Sequence, residues 1–103
     1  PTTSGTGSEA TKNAVLSSHE PPFKKSLRSD RMMPRIALID PELTMSVPPT
    51  ITAHTGMDAI TQCFESFITR KEAPIPRTLA LQGLKLALPA LGPVVRDGTL
   101  RPE

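Results

Sequence analysis

The chain has 103 residues, a formal net charge of +2, 37% apolar residues, three Phe, and neither Trp nor Tyr. That length suits one small domain or parts of two, and so small a charge gives no reason to expect a nucleic-acid binder. A single Cys leaves no internal disulfide and no Cys-rich metal site, which favours a reducing compartment.

No apolar run approaches the roughly 20 residues of a membrane span, and no signal-peptide pattern is visible. The expectation is a cytoplasmic protein with no membrane and no nucleic-acid partner. The chain starts on Pro1 and closes on the polar stretch 96–103, which reads as an internal piece of a longer protein. A processed mature product is the alternative.

Residues 1–9 (PTTSGTGSE) lack apolar periodicity and read as a loop. Within it, Gly5-Thr6-Gly7-Ser8-Glu9-Ala10 matches the G-x-G-x-x-A spacing, but no strand precedes it. Glycines and small hydroxyls let backbone N–H groups approach a phosphate and suit a helix N-terminus. An anion-binding loop and an ordinary flexible loop both fit these residues.

Residues 13–17 read as a short strand, 19–22 as a turn and 24–29 as a return strand, giving a hairpin. The cluster Lys24, Lys25, Arg28, Arg31 and Arg35 is interleaved only with Phe23. It is either a solvated face or a source of one anion contact. His19 falls in the Pro-rich turn and reads as a surface residue. Residues 34–40 give the strongest strand signal, an apolar run that predicts burial on both faces, as in a parallel sheet.

From Thr50 the period becomes helical. Met57, Ile60, Phe64 and Phe67 or Ile68 form an apolar stripe, with His54, Asp58, Gln62 and Glu65 opposite. Asp58 and Gln62 lie one turn apart and can converge on one ion or substrate. Cys63 reads as core, and Gly56 is a point where the helical register between His54 and Asp58 could break. Residues 71–76, with two prolines, end this helix. A second runs over 78–91, with Leu81, Leu84, Leu88 and Leu91 on one face and Leu79 and Leu86 on another. Pro89 is expected to kink or end it, and Asp97-Gly98 to turn the chain. Strands thus precede helices, with a boundary near Val47.

Residues 1–11 (PTTSGTGSEAT), 36–43 (IALIDPEL) and 52–81 (TAHTGMDAITQCFESFITRKEAPIPRTLAL) together resemble the iron-containing alcohol dehydrogenase family. The resemblance implies a dehydroquinate synthase-like architecture: a Rossmann-like α/β nucleotide-binding domain followed by an all-helical one. Residues 1–47 would be the end of the first and 48–103 the start of the second. It also implies an NAD- or NADP-dependent hydride transfer on a small alcohol, aldehyde or ketone, and allows a homodimer of the full-length protein.

Carried over by position, Thr2, Thr3 and Thr6 would meet the cofactor around its phosphates and nicotinamide, and Asn13 and Lys24 its ribose and phosphate region. Asp58 would ligate Fe or Zn. Gln62 falls where the family has a metal-binding His, and a neutral amide is a weaker donor than imidazole. Three outcomes stay open: a metal held with Gln62 as a poor ligand, a metal-independent carbonyl (keto acid) reductase, or a non-catalytic remnant. The isolated chain is expected to be inactive, because the glycine turn and two further histidines of the family are not among its residues.

Overall fold

The computed structural model describes residues 1–97. They divide into two compact units, one comprising Gly7–Ile39 and the other Pro1–Thr6 with the chain from Asp40 onward.

The first unit is a hairpin of β1 (Asn13–His19) and β2 (Pro22–Arg28), antiparallel, pairing Asn13 with Arg28 and His19 with Pro22. Glu20 and Pro21 make the turn, where the Ser18 hydroxyl accepts from the Glu20 N–H and donates to its carbonyl, each at 3.2 Å. Directly opposed residues share a face. One face therefore carries Asn13, Val15, Ser17, Lys24, Ser26 and Arg28, and the other Ala14, Leu16, Phe23, Lys25 and Leu27. The hairpin base is tied by the Ser29 N–H to the Lys12 carbonyl at 3.2 Å and by a Lys12–Asp30 ion pair at 2.5 Å. A 3-10 turn, Asp30–Met32, comes next, capped by Ser29.

The strand expected over residues 34–40 does not form. That segment pairs with no strand among the described residues, and Ile36, Leu38 and Ile39 are 87%, 73% and 68% exposed. An apolar run fixes what a segment can bury, whereas a strand also needs a neighbour's N–H and C=O groups.

The second unit is built on α1 (Pro49–Ile68) and α2 (Pro74–Asp97), preceded by the 3-10 turn Pro41–Thr44. Asp40 caps that turn, accepting from the Glu42 N–H at 3.0 Å. Helix α1 opens on Pro49, whose missing N–H would be unpaired there anyway. It runs unbroken through Gly56. Its inner face is the half-buried Thr52, Ala53, Gly56, Ala59, Cys63 and Phe67 with the buried Ile60.

This corrects the expected stripe, since Met57, Phe64 and Ile68 are all more than half exposed. Small residues decide the seam because they let α2 approach. A Cβ on Gly56 would fall 2.3 Å from Leu91 Cδ1, and one on Gly83 2.8 Å from Cys63 Sγ. Cys63 is thus part of the packing, as expected.

Helix α2 starts earlier than expected, because Pro74 and Pro76 sit in its first turn, where a proline breaks no helical hydrogen bond. Arg77 braces the connection by donating to the Thr69 carbonyl at 2.7 Å. The helix then passes through both Pro89 and Pro93. Both prolines and Lys85 are exposed, so water can serve the carbonyls of Lys85 and Pro89 that lose a partner. Ala80 and Leu84 face α1, whereas Leu79, Leu86 and Leu88 point away at 59–67% exposure. The residue pair expected to turn the chain ends on Gly98, outside the described residues.

By length and composition α2 could cross a bilayer, with a mean hydropathy of 1.4 over its most apolar 18 residues, contrary to the reading that no such run exists. Arg77, Gln82 and Lys85 interrupt its apolar surface, and its seam is turned to α1.

Candidate functional site

Three places hold the residues singled out from the sequence. The first is the N-terminal loop. Gly5 packs closely on α1, where a Cβ would lie 3.0 Å from Thr55 Cβ and 3.2 Å from the Thr55 carbonyl. Gly7 adopts φ +60°, the left-handed region that favours glycine. The chain then makes only the three-residue 3-10 turn Ser8–Ala10, not an α-helix. The loop therefore leads into no α-helix N-terminus, and any anion affinity rests on its hydroxyls and amides.

Thr2, Thr3 and Thr6 are exposed, and Thr3 lines a cavity of about 340 Å³ together with Thr44, Thr52, Thr55, Ala59 and Leu91. Its volume falls within the range of small-molecule sites. Neither Asp58 nor Gln62 lines it, so loop threonine and acid–amide pair are not brought into one cavity.

The second place is the hairpin face. Asn13 and Lys24, eleven residues apart in sequence, stand on the same face because Asn13 opposes Arg28 and Ser17 opposes Lys24. Asn13 Oδ1 accepts from the Ser26 hydroxyl and from Arg28 Nε, the latter at 3.2 Å. This face carries an ammonium, a guanidinium, hydroxyls and an amide, and no carboxylate. Such a donor set suits the ribose hydroxyls and phosphates of a nucleotide. Residue spacing does not attach Ser26 or Arg28 to Asn13; only the register of the two strands joins them.

The third place is the outer face of α1. His54, Asp58, Gln62 and Glu65 are all exposed on it. Continuity through Gly56 keeps His54 one turn before Asp58, and Gln62, one turn after it, donates from Nε2 to Asp58 Oδ2 at 2.8 Å. The two candidate residues therefore act as a unit.

By themselves they do not complete a metal shell. One carboxylate and one neutral amide already bound to it leave most of a coordination shell unfilled. Among the described residues no group of three or more His, Cys, Asp or Glu side chains is placed to hold a metal ion.

Comparison with known proteins gives these places a context. The sequence pattern of the iron-containing alcohol dehydrogenases matches residues 1–41, which include the first motif and most of the second. A 1-propanol dehydrogenase, PduQ, of Salmonella typhimurium is 41% identical over 95% of this chain and 26% of its own length.

Among solved structures, a sulfoacetaldehyde reductase from Bifidobacterium kashiwanohense in complex with NAD+ is 43% identical, with a TM-score of 0.91 over 95% of this chain and 26% of that one. A 1,3-propanediol oxidoreductase is 36% identical, with a TM-score of 0.87 over the same shares. The chain is thus similar to iron-containing alcohol dehydrogenases in sequence and fold, and the family resemblance read from its motifs holds. The expected succession, an α/β part followed by helices, holds with it. The chain spans about a quarter of the length of the relatives it matches.

Proposed function

We propose that these residues serve within a longer NAD(P)-dependent oxidoreductase of the iron-containing alcohol dehydrogenase type, moving a hydride between the nicotinamide and a small alcohol, aldehyde or ketone. The observation that carries this reading is the continuous similarity over 95% of the chain to dehydrogenases and reductases, one of them solved with NAD+. The local chemistry agrees with it, since the face bearing Asn13 and Lys24 holds donors and no carboxylate.

Residues 1–47 would close the nucleotide-binding domain and 48–103 open the helical one. Burial supports a longer protein. Three apolar side chains are buried among the described residues while nineteen large ones are exposed, Ile36, Leu38 and Ile39 most conspicuously as a row. On its own the 103-residue polypeptide would be inactive. The full-length protein would be cytoplasmic, consistent with the one free Cys among these residues, and a homodimer is part of the proposal.

Bound nicotinamide would supply or accept the hydride. Thr2, Thr3 and Thr6 would hold it through hydroxyls, and Asn13 and Lys24 would take its ribose and phosphate region. At the substrate end, one amide hydrogen of Gln62 is used on Asp58, which fixes the amide plane and leaves the other to donate. Donation to a carbonyl oxygen stabilises the negative charge that builds there as the carbon accepts hydride. Donor and acceptor of this pair favour reduction of an activated carbonyl, such as a keto acid, over oxidation of a simple alcohol.

The test is nicotinamide oxidation by the purified full-length protein against a panel of small aldehydes, ketones and keto acids. Turnover with at least one supports the reading. No turnover and no binding of either nicotinamide cofactor overturns it.

A further inference from the structure

The basic cluster of the hairpin has so far only one member with a role, Lys24. Strand register separates the others. Lys25 is on the opposite face, with its Nζ 6.0 Å from the centroid of the Phe23 ring, and Arg31 and Arg35 lie beyond β2. Arg28 shares the face of Asn13 and Lys24.

It is also bonded to one of them, because Arg28 Nε donates to Asn13 Oδ1 at 3.2 Å while the Ser26 hydroxyl donates to the same oxygen. Two donors on the carbonyl end of an amide fix which way the group points. The Asn13 Nδ2 amine, with its two N–H donors, is then the end left for a ligand. Arg28 spends one N–H on this bond and keeps four on its two terminal nitrogens, in a planar fork matched to phosphate oxygens.

Resting on the cofactor reading above, we propose that Arg28 and Ser26 are positioning residues for Asn13. Arg28 is in addition a phosphate contact of the bound dinucleotide, so that Asn13, Lys24 and Arg28 form one donor row along the hairpin. A solvated arginine on an exposed strand would do neither. It would leave Asn13 free to flip, and its removal would change nothing that a cofactor reports.

The experiment is fluorescence titration of full-length protein with NADH and with NADPH, comparing wild type with Lys24→Ala, Arg28→Ala, Arg28→Lys and Ser26→Ala. Thermal melting without cofactor runs in parallel for each. Arg28→Ala is expected to raise Kd about five- to tenfold, since hydrogen bonds to charged groups are the stronger ones and this group is partly solvated. Arg28→Lys should recover part of that loss by keeping the charge while losing the fork. Ser26→Ala should raise Kd about two- to threefold, the smaller effect of a neutral hydrogen bond. The salt dependence of cofactor binding should flatten in Arg28→Ala and persist in Arg28→Lys.

Equal losses for NADH and NADPH place Arg28 against a phosphate that both carry. A larger loss for NADPH places it against the additional phosphate. If Lys24→Ala weakens binding and neither Arg28 variant does, the Arg28 proposal is overturned and the cofactor reading stands. If Lys24→Ala also binds both cofactors as wild type does, the assignment of this hairpin to the cofactor fails with it. An Arg28→Ala protein that melts earlier, with Arg28→Lys neither melting earlier nor binding more weakly, would mean a structural role only and would overturn the proposal.

Discussion

Replacing Gln62 by His asks how far a single amide sets the metal behaviour of this protein. In the wild type the amide is a neutral donor held by Asp58 at 2.8 Å. To offer its oxygen to a cation, Gln62 must give up that bond and present a weak ligand beside the carboxylate. An imidazole at the same position, four residues after Asp58 on an uninterrupted helix, points over the same surface and is a good donor for Fe²⁺ or Zn²⁺. Whole structural zinc sites are worth about 10–16 kcal/mol, so one strong ligand of four corresponds to about 3 kcal/mol.

The Gln62→His protein has no Gln62–Asp58 bond to break before it binds, so none of this is spent on freeing the ligand. A gain of about 3 kcal/mol is roughly a hundredfold rise in affinity. The assay is zinc and iron binding to the full-length Gln62→His protein by calorimetry, with metal content after dialysis as a second reading. Unchanged affinity, or a wild type already holding stoichiometric metal that survives dialysis, would refute the reasoning that Gln62 keeps this site from binding a cation tightly.

Four other outcomes are expected. Gly83→Ala gains about 1 kcal/mol of helix propensity but pushes a Cβ to 2.8 Å from Cys63 Sγ, at an overpacking cost of about 1–3 kcal/mol. Thermal melting should show a net loss, and Cys63→Ala in the same protein should turn it into a gain. Lys12→Ala removes an ion pair whose partners are 51% and 91% exposed, so it should cost less than about 1 kcal/mol in a denaturant titration, and less still in high salt. Ile36→Lys with Leu38→Lys should reduce self-association of the isolated 103-residue chain in analytical ultracentrifugation while lowering the melting temperature of the full-length protein. Asp58→Ala releases the Gln62 amide, and keto acid reduction should fall by about tenfold in kcat/KM, the loss of one oriented donor.

Much of the architecture is legible in the sequence because local rules govern it. The hairpin comes from polar turn residues between two short runs, and both helices from a change of period at Thr50. The helix faces are legible only in part: Ile60 and Leu84 are buried as expected, but Met57, Phe64, Ile68 and Leu88 are exposed, so bulk is a poor mark of burial here. The seam instead uses Gly56, Ala59, Cys63, Ala80 and Gly83, residues whose value is closeness of approach.

The ends of α2 escape a sequence reading for a related reason. Proline is costly where a carbonyl loses its only partner, and Lys85, Pro89 and Pro93 are exposed residues where water can take its place. Residues 34–40 carry a strand's composition without a strand's neighbour. At the candidate site, Asp58 and Gln62 are readable from helical spacing alone, whereas Arg28 and Ser26 are not, since their link to Asn13 exists only once β2 is in register with β1.

The central claim is that these residues belong to a protein that transfers hydride. Incubating the full-length protein with nicotinamide cofactor deuterated on the transferred position and a small keto acid or aldehyde tests it directly. One deuterium is expected on the new carbinol carbon, at a rate reduced in Asp58→Ala and Gln62→Ala. Product formed without deuterium, or no product while the cofactor stays bound, would contradict it.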